Sequence, residues 1–203
     1  TGELKKLREI FTRSTRFITA LTCMVFIPVL IFGDLFIKLW IGTDMSYETS
    51  DVLILLVISG ILGTLLISLS NNIIVGIGRI KEFTQYCTIR AIVLVVGCFM
   101  LIKPLGIVGA GVALVLTNII DFFFLFIILK KYLKISPINL FRVAYFIPLL
   151  VGFILAICLF FLRPVAQTWI GLVLSISLFE FLYILISFRI GVFGETEKRV
   201  LLE

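Results

Sequence analysis

Residues 52–78 read VLILLVISGILGTLLISLSNNIIVGIG, a run without one charged side chain. A helix needs about 20 mostly apolar residues to cross roughly 30 Å of hydrocarbon. This run meets that length with residues to spare. Working outward, five more segments share its character: 16–41, 83–102, 104–129, 143–162 and 164–188. Three of them carry one internal charge each, Arg90, Asp121 and Glu180. A transmembrane barrel would instead show alternating segments of about ten residues. Every backbone group within a bilayer must be paired, which leaves helices. The expected fold class is therefore all-α: a polytopic membrane protein with six transmembrane helices.

Composition points the same way. Of 203 residues, 61% are hydrophobic and 15% charged, whereas soluble domains run near half and a quarter. One core of this size could not hide so much apolar surface. A soluble enzyme, a nucleic-acid-binding domain and a disordered tail are excluded. The sequence holds no histidine, which removes imidazole metal sites, imidazole proton relays and nucleophile–histidine pairs. Cys23, Cys87, Cys98 and Cys158 all lie in apolar runs, where cysteine acts as a small hydrophobe. Neither a cofactor nor a metal, nor any catalytic residue, is expected.

The net charge of +6 would suit nucleic acid, but the basic residues sit between the apolar runs. They report topology instead. Lys5, Lys6, Arg8, Arg13, Arg16, Arg79, Lys81, Lys130, Lys131, Lys134, Arg142, Arg189, Lys198 and Arg199 fall on one side; Lys38, Lys103 and Arg163 fall on the other. This bias places both termini in the cytoplasm, and the chain is expected to be an integral plasma (inner) membrane protein. The first outer loop is acidic, with Asp34, Asp44, Glu48 and Asp51, and Trp40 and Trp169 fall at the outer interface. The chain divides into an amphipathic cytoplasmic segment 1–15, four spans over 16–129, a final pair over 143–188 and a cytoplasmic tail 189–203. It starts at Thr1 with a basic amphipathic stretch, which reads as a helix joining this piece to an earlier half or as one lying on anionic headgroups. Pro104 and Pro164 are expected to open the fourth and sixth helices, and Pro137 to lie in a loop. Pro28 and Pro148 lie inside helices, as a static bend or a hinge.

The intramembrane charges are the candidate functional residues, since a charge in hydrocarbon needs a partner or a wet cavity. Arg90, Asp121 and Glu180 all lie roughly 10–14 Å from the cytoplasmic boundary at 1.5 Å per residue. Arg90 and Asp121 are either a structural ion pair or separate cavity groups, one for an anionic substrate and one for a coupling ion. Glu180 is either satisfied locally by Ser177 and Tyr183 or a second ion-coupling group. Gly111, Asn118 and Asp121 share a narrow face, and so do Ser177, Glu180, Tyr183 and Ser187. Gly60, Thr64, Ser68, Asn71 and Gly78 form a small, polar stripe, for helix packing or for lining a cavity. Gly106, Gly109 and Gly111 read as close packing at a helix start, because the βαβ setting of a phosphate loop is missing.

Three stretches carry a resemblance. They are Leu39-Trp40-Ile41-Gly42, then Asn71-Asn72-Ile-Ile-Val-Gly76-Ile-Gly78-Arg79-Ile-Lys81, then Lys103-Pro104-Leu105-Gly106-Ile107-Val108-Gly109-Ala110-Gly111. In order and spacing the chain resembles the C-terminal half of the polysaccharide-export branch, which includes O-antigen and capsule flippases, of the multidrug/oligosaccharidyl-lipid/polysaccharide (MOP) exporter superfamily. The resemblance implies a 12- to 14-helix, two-lobe exporter whose N-terminal lobe partners this segment. It implies flipping of lipid-linked oligosaccharide or polysaccharide precursors by alternating access, driven by a proton or sodium ion. Arg90, Asn71 and Asn118 would then bind substrate, and Asp121 with Glu180 would couple the ion. The alternatives are a multidrug/cation antiporter of the same superfamily and a membrane-embedded glycolipid-modifying enzyme.

Overall fold

The structure, a computed structural model, describes residues 2–42 and 47–192, with backbone alone for 2–4, 47–48 and 67–70. Expectations that rest on Asp44, on the side chains of Glu48 and Ser68, or on the tail beyond 192 lie outside the described residues. The elements are α1 (Gly2–Ile41), α2 (Tyr47–Gly76), α3 (Ile80–Leu105), α4 (Ile107–Ile128), α5 (Pro137–Leu140), α6 (Phe146–Phe161) and α7 (Trp169–Ile190). Wide π turns at Leu129–Leu133 and Phe141–Tyr145 extend α4 and fuse α5 to α6. The described residues form six helices long and apolar enough to cross a membrane, and no strand. The chain is an all-helical protein suited to a bilayer.

Helix boundaries depart from the sequence reading in four places, each for a local reason. The stretch 1–15 is not set apart, because α1 runs unbroken from Gly2 to Ile41. Residues 3–27 contain neither glycine nor proline, so nothing interrupts the hydrogen-bond ladder. Pro104 does not open the fourth helix; it sits in the last turn of α3, and the break falls at Gly106 with φ +58°. Pro164 likewise sits in a turn ahead of a short 3-10 segment, and Thr168 caps α7 by accepting a hydrogen bond from the Gly171 N–H at 3.2 Å. Pro137 is the first residue of α5 rather than a loop residue, a position where its missing N–H costs nothing.

The chain packs as two compact units. The first comprises residues 1–8 and 46–139, thus α2, α3 and α4; the second comprises 9–45 and 140–203, thus most of α1 with α6 and α7. The first span therefore groups with the final pair, a division that runs across the sequence grouping of 16–129.

In the first unit α4 lies against both α2 and α3. Small residues permit the approach: a Cβ on Gly111 would stand 3.0 Å from the Leu55 side chain, and one on Gly97 would stand 3.2 Å from that of Ala113. At Gly109 a Cβ would fall 2.1 Å from the Leu101 carbonyl oxygen. Only glycine lets α4 fold back over the end of α3 there.

The second unit is held by an apolar cluster of Ala20, Cys23, Phe32, Val151, Leu155, Leu159, Leu172 and Phe179, closed by Tyr183. Thr15, Thr19 and Thr22 are buried on α1, and each hydroxyl donates to the carbonyl four residues back on its own helix. Such bonds satisfy the hydroxyl without tying helices together. Phe36 meets Trp169 edge to face at 5.7 Å, with Trp40 beside it. Each π turn leaves a carbonyl for an arginine of α1: Arg8 Nε donates to Leu133 O at 2.6 Å within the first unit, and Arg16 Nε to Val143 O at 3.0 Å within the second.

Candidate functional site

The polar centre of the first unit is built on α3 and α4. Gly78, at φ +79°, turns the chain out of α2, and α3 begins at Ile80. Tyr86 and Arg90 follow one turn apart, so both point the same way from α3. They meet Asp121 of α4. The Tyr86 hydroxyl donates to Asp121 Oδ1 at 2.7 Å, and Arg90 Nε donates to Oδ1 at 2.9 Å and Oδ2 at 3.3 Å. The Tyr86 ring stacks on Phe124 of α4, with centroids 3.8 Å apart and planes within 11°. Phe124 lies one turn beyond Asp121, and the stack sets the height at which the hydroxyl reaches the carboxylate.

Exposure is unequal across this cluster. Asp121 is fully buried, while the Arg90 side chain keeps 36% of its surface. All bonds from Arg90 to the described residues leave through Nε. Its Nη1 and Nη2 groups make none among the described residues. A guanidinium held side-on through Nε still presents its end-on pair of donors, which suits the oxygens of a carboxylate or phosphate. Arg90 and Asp121, for which the sequence left open a structural ion pair or separate cavity roles, form one ion pair.

Asn118 lies one turn before Asp121 and faces α2. Its Nδ2 donates to Ser59 Oγ at 3.2 Å and to Leu114 O at 3.3 Å. Its Oδ1 is buried without a partner and stands 3.6 Å from where a Cβ of Gly63 would be. Asn71, on α2, also has a buried Oδ1 without a partner. No hydrogen bond links either asparagine to Arg90 or Asp121 among the described residues. The stripe read on α2 is offset from the face that meets α4. Contact falls at Leu55, Ser59 and Gly63, while Thr64 donates to Gly60 O on its own helix and Gly78 lies past the helix end.

Glu180 belongs to the second unit, where it is half-buried on α7. The local partners considered for it do not engage it. The Tyr183 hydroxyl donates to Pro148 O at 3.3 Å, and Ser177 is exposed. No described residue pairs with the Glu180 carboxylate. The serine–glutamate–tyrosine face of α7 is thus split between the interior and the surface.

At the far end of α3 from Gly106, Glu82 accepts from the Tyr132 hydroxyl and from Lys131 Nζ at 3.3 Å, and Arg79 stands over the Tyr132 ring. This ties the start of α3 to the end of α4. Tyr86, Ser59 and Gly63 are site residues that the sequence reading missed. Ser59 and Gly63 form a small-x-x-x-small pair, a packing signal that was legible. Tyr86, one turn before Arg90, had only its spacing to show for it. Compared with family models, with curated proteins and with solved structures, the chain matches none of them.

Proposed function

We propose that this chain is part of a membrane transporter that flips lipid-linked oligosaccharide or polysaccharide precursors across the plasma membrane by ion-coupled alternating access. In this reading its six spans belong to a 12- to 14-helix exporter of the MOP superfamily, with both termini cytoplasmic. The resemblance of residues 39–42, 71–81 and 103–111 supports the family. One observation carries the chemistry: an arginine within a span, anchored by a buried carboxylate and keeping its terminal donors free.

The mechanism follows from competition for Arg90. A phosphate of the substrate headgroup takes the free Nη pair and draws the guanidinium off Asp121. The released carboxylate, no longer neutralised, takes a proton or sodium ion. Substrate release returns Arg90 to Asp121 and expels the ion. Asp121 is closed off by two donors, so it offers no open carboxylate to a cationic amphiphile. That favours an anionic substrate over the multidrug reading. Asn118 and Asn71, with spare carbonyl oxygens, are the candidates for sugar hydroxyls.

The test uses full-length protein in proteoliposomes with an imposed proton or sodium gradient and a labelled lipid-diphosphate-linked oligosaccharide. Arg90→Ala should lower the initial rate by at least about tenfold, since a charged hydrogen bond contributes roughly 1.5–3 kcal/mol. Asp121→Asn should uncouple transport from the gradient. Unchanged rate and unchanged ion dependence in both variants would refute the reading.

A further inference from the structure

Glu180 stands near the middle of α7, about 16 Å from either end at 1.5 Å per residue. That depth is beyond the reach of snorkelling. The other carboxylates deep within the spans are engaged. Asp121 holds Arg90 and Tyr86, and nearer the end of α1 Asp34 pairs with Arg163 of the turn after α6. Glu180 has no such partner among the described residues. Among the described residues the other basic groups of its own unit sit elsewhere: Arg13 lies in the first half of α1, Arg16 is committed to Val143 O, Arg142 lies in the π turn below α6, and Lys38 and Arg189 lie in the last turns of α1 and α7. Beside Glu180, the α7 surface at Val173 and Ser177 is exposed.

A carboxyl group at the centre of hydrocarbon is costly in either protonation state unless a charge or a hydrogen-bond donor meets it. No described residue supplies that donor, so it is sought on another helix, at the same depth and along the Val173–Ser177–Glu180 edge. We propose that this edge of α7 is the docking strip for another transmembrane helix carrying a lysine or arginine near its midpoint, paired with Glu180. Ser177 sits one turn away on the same edge and adds a small, hydrogen-bonding surface for close approach. The inference depends on the chain lying in a bilayer and not on what the protein transports.

The experiment places the purified protein, donor-labelled, in neutral phosphatidylcholine vesicles with acceptor-labelled leucine–alanine transmembrane peptides. One peptide carries a central lysine; the other carries leucine there. Resonance energy transfer reads association. The net charge of +6 opposes a cationic peptide, so a preference for lysine has to arise at a local carboxylate. The lysine peptide should associate about fivefold more tightly, the equivalent of roughly 1 kcal/mol for an intramembrane polar contact. Glu180→Asp should keep the preference, Glu180→Gln should lose most of it, and Glu180→Leu all of it. Circular dichroism and gel filtration confirm that each variant is folded. Equal association of the two peptides with the unaltered protein would overturn the proposal. So would a lysine preference that survives intact in Glu180→Gln or Glu180→Leu.

Discussion

The two units solve the same problem, helix association without a hydrophobic driving force, with different chemistry. In the first, polar side chains bond from helix to helix: Tyr86 and Arg90 to Asp121, Asn118 to Ser59, Lys131 and Tyr132 to Glu82. In the second, the buried threonine hydroxyls turn back onto their own helix and the packing is apolar around Phe32, Leu159 and Phe179, with Arg16 to Val143 O, Tyr183 to Pro148 O and the Arg163–Asp34 pair as its polar bonds between elements. Polar cross-links fix geometry but depend on each partner, whereas apolar packing tolerates change. The first unit is therefore specific and brittle, and the second is plastic.

The comparison breaks most readily at the ion pair. Arg90→Leu should destabilise the first unit by about 3 kcal/mol, because it strands the fully buried Asp121 carboxylate in a low-dielectric seam. The double variant Arg90→Leu with Asp121→Leu should recover to within about 1 kcal/mol of the parent, since an apolar pair removes both desolvation costs. Unfolding in mixed detergent micelles, followed by circular dichroism, measures both. No recovery in the double variant would mean that the pair does not act as a unit.

Glycine substitutions sharpen the contrast at intermediate scale. Gly109→Ala puts a Cβ 2.1 Å from a backbone oxygen that cannot move independently, and should cost near the top of the ~1–3 kcal/mol range for overpacking. Gly152→Ala meets the Cδ1 end of Ile27 at 2.6 Å, which a rotamer change relieves, and should cost under about 1 kcal/mol. The same unfolding assay ranks them; the reverse order would contradict the brittle–plastic distinction.

The smallest effects come from single hydroxyls. Tyr86→Phe should cost about 1 kcal/mol, because it removes an interhelical donor to a buried carboxylate. Thr19→Val should lie within about 0.5 kcal/mol of the parent, because its hydroxyl serves only Thr15 O on its own helix. Equal losses at both positions would show that the direction of a hydrogen bond, across or along a helix, does not matter here.

Much of this organisation was legible before any fold was known. The six spans follow from apolar length alone, and Arg90, Asp121 and Glu180 stand out because charge in such runs is rare. The glycines at 106, 109 and 111 were readable as a tight helix start, and the structure packs Gly109 directly on Leu101 O. Partner choice was not legible. Spacing placed Ser177 and Tyr183 beside Glu180, but whether Tyr183 would turn to it or to Pro148 O depends on α6. Nor could Tyr86 be told from other tyrosines at a helix start, because its role is conferred by Phe124 and Asp121 on the next helix.

The sequence by itself determined an all-helical chain of six bilayer-length helices and the depth of its charges, because span length and burial cost are properties of single segments. Only the tertiary structure decided that the first span sides with the last two, that Arg90 grips Asp121 through one nitrogen, and that Glu180 is left without a mate among the described residues. Those outcomes depend on which faces meet, and a face can be chosen only when its neighbour is in place.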